Sequence, residues 1–227
     1  MPKNYEAIGR DNITTTRTLL HEVLPLTGGI ISGTYGAWRA ERNIKNYTHG
    51  QFQSVFDYPY LSSSANHIFD LTVGYDETSE VSSSTSVQNA KKINMYNQYA
   101  QVLLGYTASH GDGIRKFESD LTLDNSGVMR EGFFISLSRL LTKDQIKKGS
   151  FSITLGVGTW NAPFDTTVQL KDVSASITDT SIATSDGGDY GVLYNVTGAK
   201  GDSHGVIFYQ AGVVFISSSA FMSGALS

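Results

Sequence analysis

Between residues 150 and 155, apolar and polar side chains take strict turns: Phe151, Ile153 and Leu155 against Ser150, Ser152 and Thr154. A period of two puts each set on its own face of a strand, so this stretch predicts one buried face and one wet face. FFISLSRLL, from Phe133, has the same period, with Phe134, Ser136, Ser138 and Leu140 on one side. Phe133, Ile135, Leu137, Arg139 and Leu141 fall on the other. HIFDLTVGY, from His67, alternates imperfectly and also reads as a strand. VQLKDVSASIT, DYGVLYNVTG, GVIFY and GVVFIS continue as short strands at spacings that suit a sandwich or barrel. Thr142-Lys143-Asp144-Gln145 has a capping-box pattern, so a single helical turn is expected before the strand at 150.

One segment changes period. In SSSTSVQNAKKINMYNQYAQVLLGY, Ile93, Tyr96, Ala100 and Leu103 recur at helical spacing and make one apolar stripe. The pattern predicts a long amphipathic helix over about 84–104, capped by Ser83, Ser84 or Thr85 and stopped by Gly105. Lys91, Lys92, Asn94, Asn97 and Gln101 lie off the stripe, facing water or a polar partner. The first sixty-six residues keep no steady period. TTTRTLLHEVLPL can open a short helix that ends at Pro25, and glycines follow among β-branched and aromatic residues. Tyr47, Phe52, Phe56, Tyr58 and Tyr60 then cluster, as core side chains or as contact anchors.

The last stretch of the chain carries no charge from Gly205 onward. Its apolar part is shorter than the ~20 residues a spanning helix needs and is broken by Gln210-Ala211-Gly212. Val206, Ile207, Val213, Val214 and Ile216 are β-branched, which favours strands. A hairpin is expected, Val206 to Tyr209 against Val213 to Ile216, with Gly212 in the left-handed conformation. Both faces of these strands are apolar, so both need cover. The second cover is either the domain's own helix or a neighbouring subunit.

The expected fold is therefore mainly β (α+β), with β-sandwich-like antiparallel sheets, one long helix and an irregular N-terminal arm. The arm or lobe takes 1–66 and the β-rich structural domain 67–227. Composition agrees. Charged residues are 17% of the 227-residue chain, and glycine, serine and threonine fill the space. The absence of cysteine removes disulfides and thiolate metal sites. A net charge of −4 leaves no electrostatic footprint for nucleic acid, and no membrane insertion is expected. The sequons at Asn12, Asn46 and Asn195 are read as chance matches in an Asn/Thr-rich chain.

The sequence holds no P-loop or complete dinucleotide fingerprint, and its five histidines never fall at metal-ligand spacing. Asp202-Ser203-His204 contains triad residue types, but sequence neighbours cannot take up triad geometry. Ser185-Asp186-Gly187-Gly188-Asp189 is an oxygen-rich loop that could hold calcium, although joining strands is the commoner use. Glu118 and Asp120 are a carboxylate pair of the kind a glycosidase uses, and spacing alone does not decide it. The expectation is a non-enzyme without cofactor or metal, and with no catalytic residue.

Four segments carry a resemblance: KINMYNQYAQVLLG, FFISLSRLLTKDQIKKGSFSITLG, DYGVLYNV and GVIFYQAGVVFIS. In order and character, over 67–217, they resemble virion structural proteins of contractile-tailed bacteriophages of marine bacteria. The resemblance implies a tail or baseplate-region subunit of the virion, made in the host cytoplasm and assembled with other virion proteins. It further implies a homo-oligomer or repeated subunit. On this reading Tyr58, Tyr60, Tyr209, Val214 and Phe215 are the candidate interface residues. A tail-fibre carbohydrate-binding module, with Trp38, Tyr58, Tyr60 or Trp160 stacking on sugars, is the alternative. A neck or capsid component is a third.

Overall fold

A computed structural model describes residues 43–82, 86–106, 113–120, 124, 126–139, 144–157, 166–172, 184–185, 188–196 and 203–221. Thr142 and Lys143 of the expected capping box, Trp38, Trp160 and the short helix expected near Thr16 lie outside these residues, and no helical turn occurs over 144–150. Ten strands and one α-helix are present among them: β1 (Ile44–Asn46), β2 (Gln53–Phe56), β3 (His67–Tyr75), α1 (Val87–Leu103), β4 (Glu131–Leu137), β5 (Ser152–Val157), β6 (Thr166–Lys171), β7 (Thr184–Ser185), β8 (Gly188–Asn195), β9 (Ser203–Phe208) and β10 (Val213–Ser217). The mainly-β class with a single long helix is what the alternation pattern predicts. All strands join one antiparallel sheet in the order β1-β2-β3-β4-β10-β9-β8-β6-β5, with β7 beside β8.

The register explains why so many strands read as apolar on both sides. Leu71, Ile135, Val214, Ile207 and Gly191 form one row across β3, β4, β10, β9 and β8. The next row is Thr72, Phe134, Phe215, Val206 and Val192 and points the opposite way. On the second face, Phe134, Phe208 and Phe215 pack with Tyr96, Ala100 and Leu103 of α1 and with Phe117 and Met129. On the first face, Ile135, Leu170, Leu193, Ile207, Val214 and Ile216 form a second cluster. Ile146, Phe151, Ile153, Leu155, Val168 and Phe221 pack against it. Both covers of the central hairpin therefore come from the chain itself.

The helix starts at Val87 rather than near residue 84, because Ser86 is the cap. Ser86 is extended (φ −69, ψ 155) and its side chain accepts a hydrogen bond from the Asn89 amide at 3.2 Å. At the other end Gly105 takes φ 77, the expected stop. Tyr96, Ala100 and Leu103 are buried as the stripe predicts, whereas Ile93 is only half-buried.

The boundary at 66 does not hold for its described part. Residues 44–46 and 53–56 are β1 and β2, and β2 pairs with β3 from Gln53↔Leu71 to Phe56↔His67. They extend the main sheet instead of forming a separate lobe. The pattern missed them because strands of three and four residues are too short to establish a period.

The β9–β10 hairpin is present with Gly212 at φ 68, but its loop has four residues, Tyr209 to Gly212, not three. Tyr209 leaves the ladder because its backbone is engaged elsewhere. Its amide donates to the Asp189 carbonyl at 3.0 Å, and its carbonyl accepts from the Ile146 amide at 2.9 Å. The Tyr209 ring lies over Gly191, where any Cβ would collide with the phenol oxygen. That position needs glycine for space rather than for backbone conformation.

Candidate functional site

Three of the five expected interface residues are not on the surface. Tyr209, Val214 and Phe215 are fully buried within the chain. Val214 lies between Ile135 and Ile207 in its row, and the Phe215 ring stacks on Phe117 at 4.6 Å. The Tyr209 hydroxyl donates to Asp172 Oδ2 at 3.1 Å, with the Lys148 ammonium 6.0 Å from its ring centre. An apolar strand face shows that cover is needed but not whose cover it is. Here the sheet's own partners supply it.

Tyr58 and Tyr60 belong to a loop, residues 57–66, that is held by its own ends. Asp57 is the clamp. Its amide donates to the Asn66 carbonyl at 3.1 Å, and its Oδ1 accepts from the amides of Tyr58 (2.8 Å) and Asn66 (2.6 Å). The Asn66 side-chain amide donates to Oδ2 at 2.8 Å. Burial is the largest single influence on the Asp57 pKa and raises it, but these hydrogen bonds to the ionised form together outweigh it and the net shift is downward. Further along, the Ser62 amide donates to the Pro59 carbonyl at 2.7 Å. The loop splits its tyrosines. Tyr60 turns inward, its ring 6.2 Å from Phe56, which is 5.5 Å from His67. Tyr58 stays 57% exposed and Leu61 88% exposed.

Nothing among the described residues assembles a nucleophile. Ser54 Oγ donates to Asp70 Oδ1 at 2.5 Å, and His67 Nε2 pairs with the same oxygen at 2.9 Å. These are the right residue types in the wrong order, since a relay needs serine on the histidine and histidine on the carboxylate. His49 is stacked on Tyr47 at 5.1 Å, and His204 Nδ1 meets Ser219 Oγ at 3.1 Å. No group of three histidine, aspartate or glutamate side chains that could hold a metal occurs among the described residues. In the SDGGD loop, Asp186 and Gly187 lie outside them. Asp189 Oδ2 is paired with Lys148 at 2.5 Å.

The buried acids have internal partners. Asp76 pairs with Lys116 at 2.7 Å and lies 3.8 Å from Arg130. Burial raises the Asp76 pKa, yet the hydrogen bonds from Lys116 and Thr78 hold it below the ordinary carboxylate value. At Asp172 burial wins over the donors Gly149 and Tyr209, and the pKa is pushed up. Glu131 accepts from Ser218 at 3.0 Å and from Ser79. Glu118 is buried and accepts from the Asp124 amide at 3.2 Å, while Asp120 is exposed. One carboxyl sealed in the core beside one in water does not flank a common cleft.

Neither a protein-family model, nor a curated protein, nor a solved structure matches this chain. The sequence pattern missed Leu61, although the loop that carries it was legible from Asp57, Pro59 and the serines. Aspartate before a turn commonly bonds the backbone beyond it. The pairing of Asp57 with Asn66 is the part that spacing does not disclose.

Proposed function

We propose that this protein is a non-enzymatic structural subunit of a tailed-bacteriophage virion, acting through protein–protein contacts at the tail, with the baseplate as the first location to test. The observation that carries the reading is the clamped loop 57–66. Its end-to-end hydrogen bonds hold Tyr58 and Leu61 out in water instead of letting them fold back onto the sheet. An ordered loop with an exposed aromatic and an exposed aliphatic side chain meets a partner without first losing much conformational freedom. The virion setting rests on the resemblance of the four sequence segments to virion structural proteins.

The test is complementation of a phage lacking this gene with Tyr58→Ser/Leu61→Ser. Both positions are exposed, so stability should change by no more than about 0.5 kcal/mol each. The expected result is a folded double variant that is absent from purified particles, whereas the parent chain is present. Full incorporation of the variant would remove the loop from assembly. Absence of the parent chain from particles would overturn the virion assignment.

A further inference from the structure

On the helix side of the sheet, residues of α1, β3 and β4, with Gln51 and Phe52 beside them, line a pocket of about 260 Å³. It lies just below the ~300–1,000 Å³ of sites for drug-sized ligands, so its occupant is one small molecule. Phe52 and Met95 give it apolar walls, and the Tyr99 ring is fixed by stacking on Phe134 at 4.2 Å. The Phe52 ring is itself braced by Tyr47 and His49, each 5.0 Å away.

The polar groups at this pocket are incompletely used. Asp70 Oδ1 already accepts from Ser54 and His67, but Asp70 Oδ2 accepts nothing from the described residues. Tyr99 and Ser136 share a hydroxyl–hydroxyl bond of 2.8 Å. Such a pair uses one of its two protons and leaves the other to donate. The side-chain amide of Gln51 has no hydrogen-bond partner among the described residues, while the backbone carbonyl of Gln51 accepts from the Lys92 ammonium at 2.8 Å and from the Thr72 hydroxyl. The pocket therefore offers a carboxylate acceptor, a hydroxyl donor and an amide that does both, beside aromatic carbon.

Charge narrows the ligand class. The Asp70 carboxylate would suit an ammonium group, but Lys92 holds its positive charge against two lining residues, Gln51 and Thr72. An anion would meet Asp70 instead. With one charge of each sign at the site, a neutral ligand is favoured. We infer that this pocket binds a neutral polyhydroxylated molecule the size of one sugar ring, its neighbouring hydroxyls donating to Asp70 Oδ2 and its C–H face against Phe52. Neither Tyr58 nor Tyr60 lines it. The inference is independent of the tail assignment.

Saturation-transfer NMR on the full chain tests it with glucose, galactose, mannose and N-acetylglucosamine, each alone at millimolar concentration. Choline and inorganic phosphate serve as the cationic and anionic probes. At least one neutral sugar should bind, and Asp70→Asn and Tyr99→Phe should each weaken it about tenfold, the worth of one hydrogen bond. Tyr99→Phe removes a single oxygen from a half-buried residue, so it still decides the matter should Asp70→Asn fail to fold. Binding that is unchanged in the folded variants would place the sugar elsewhere and overturn the site. Binding of choline or phosphate alone would overturn the ligand class, and silence from every probe would overturn the inference.

Discussion

The hydroxyl of Tyr96 donates to the carbonyl of Met129, 33 residues away in sequence, at 2.9 Å in the fully buried core beneath α1. The same oxygen accepts from the Phe117 amide at 3.1 Å. One phenol thus satisfies two backbone groups of the segment that packs beside the helix, where water cannot replace it. Its ring meets Phe117, Phe134 and Phe215 edge-on at 5.4, 6.2 and 6.2 Å.

Tyr96→Phe keeps the ring and removes both hydrogen bonds. Each orphaned buried group costs about 1–3 kcal/mol, so a loss of about 2–6 kcal/mol is expected. Urea unfolding followed by circular dichroism checks it. A loss under about 0.5 kcal/mol would mean that the two backbone groups find other partners.

Gly212 closes the β9–β10 loop at φ 68, and its amide donates to the Phe208 carbonyl at 2.9 Å. A β-branched residue resists that conformation, so Gly212→Val should cost on the order of 1–3 kcal/mol. The fall should show as a lower urea midpoint with an unchanged slope, because the unfolded chain gains no new compactness.

Val214 and Phe215 face opposite sides of β10, and both sides are core. Val214→Asp and Phe215→Asp should therefore both unfold the domain. Each strands a charge in an apolar cluster, a cost large against a total stability of about 5–15 kcal/mol. A folded, cooperative variant of either kind, seen by circular dichroism, would show that its face is open to water.

Two aspartates should act oppositely on the acid limb of stability. Burial opposes ionisation of Asp76, but Lys116 and Thr78 hold its folded pKa below the ordinary 3.8. Its contribution is therefore complete above 3.8 and is lost as pH falls through the lower folded value. For Asp172, burial raises the folded pKa above 3.8. Its ionised form costs stability near neutrality, and that cost fades as pH falls from the folded value toward 3.8. Urea midpoints measured from neutral pH to below 3.8 should show both effects. Asp172→Asn should abolish the gain above 3.8 and keep the loss below it. Asp76→Asn should do the reverse and cost on the order of 3 kcal/mol at neutral pH, because Lys116 then lies buried beside a neutral amide. Identical acid limbs in both variants and the parent would refute the assignment.

The sequence by itself determined the local periods. Alternation at Phe151, Ile153 and Leu155 marked a strand with one wet face, and β5 has it. Tyr96, Ala100 and Leu103 marked the helix and its buried side, and Gly212 marked a left-handed turn. These features depend only on neighbours along the chain, where backbone sterics and the side-chain period act directly. The imperfect alternation of His67 to Tyr75 also marked a strand, and its Phe69 and Leu71 pack against the cluster on the β5–β6 side.

Tertiary structure alone decided who covers whom. Nothing in GVIFYQAGVVFIS distinguishes cover by α1 and β5–β6 from cover by another molecule, since burial gives the same free energy in either case. Tyr209, Val214 and Phe215 therefore look like contact residues in the sequence and are core in the fold. The same holds for the pocket. Asp70, Tyr99 and Ser136 lie far apart along the chain and meet only because β3 pairs with β4 and α1 crosses over both. Pairing and crossing are set by the summed packing of the whole sheet, a quantity that no local pattern contains.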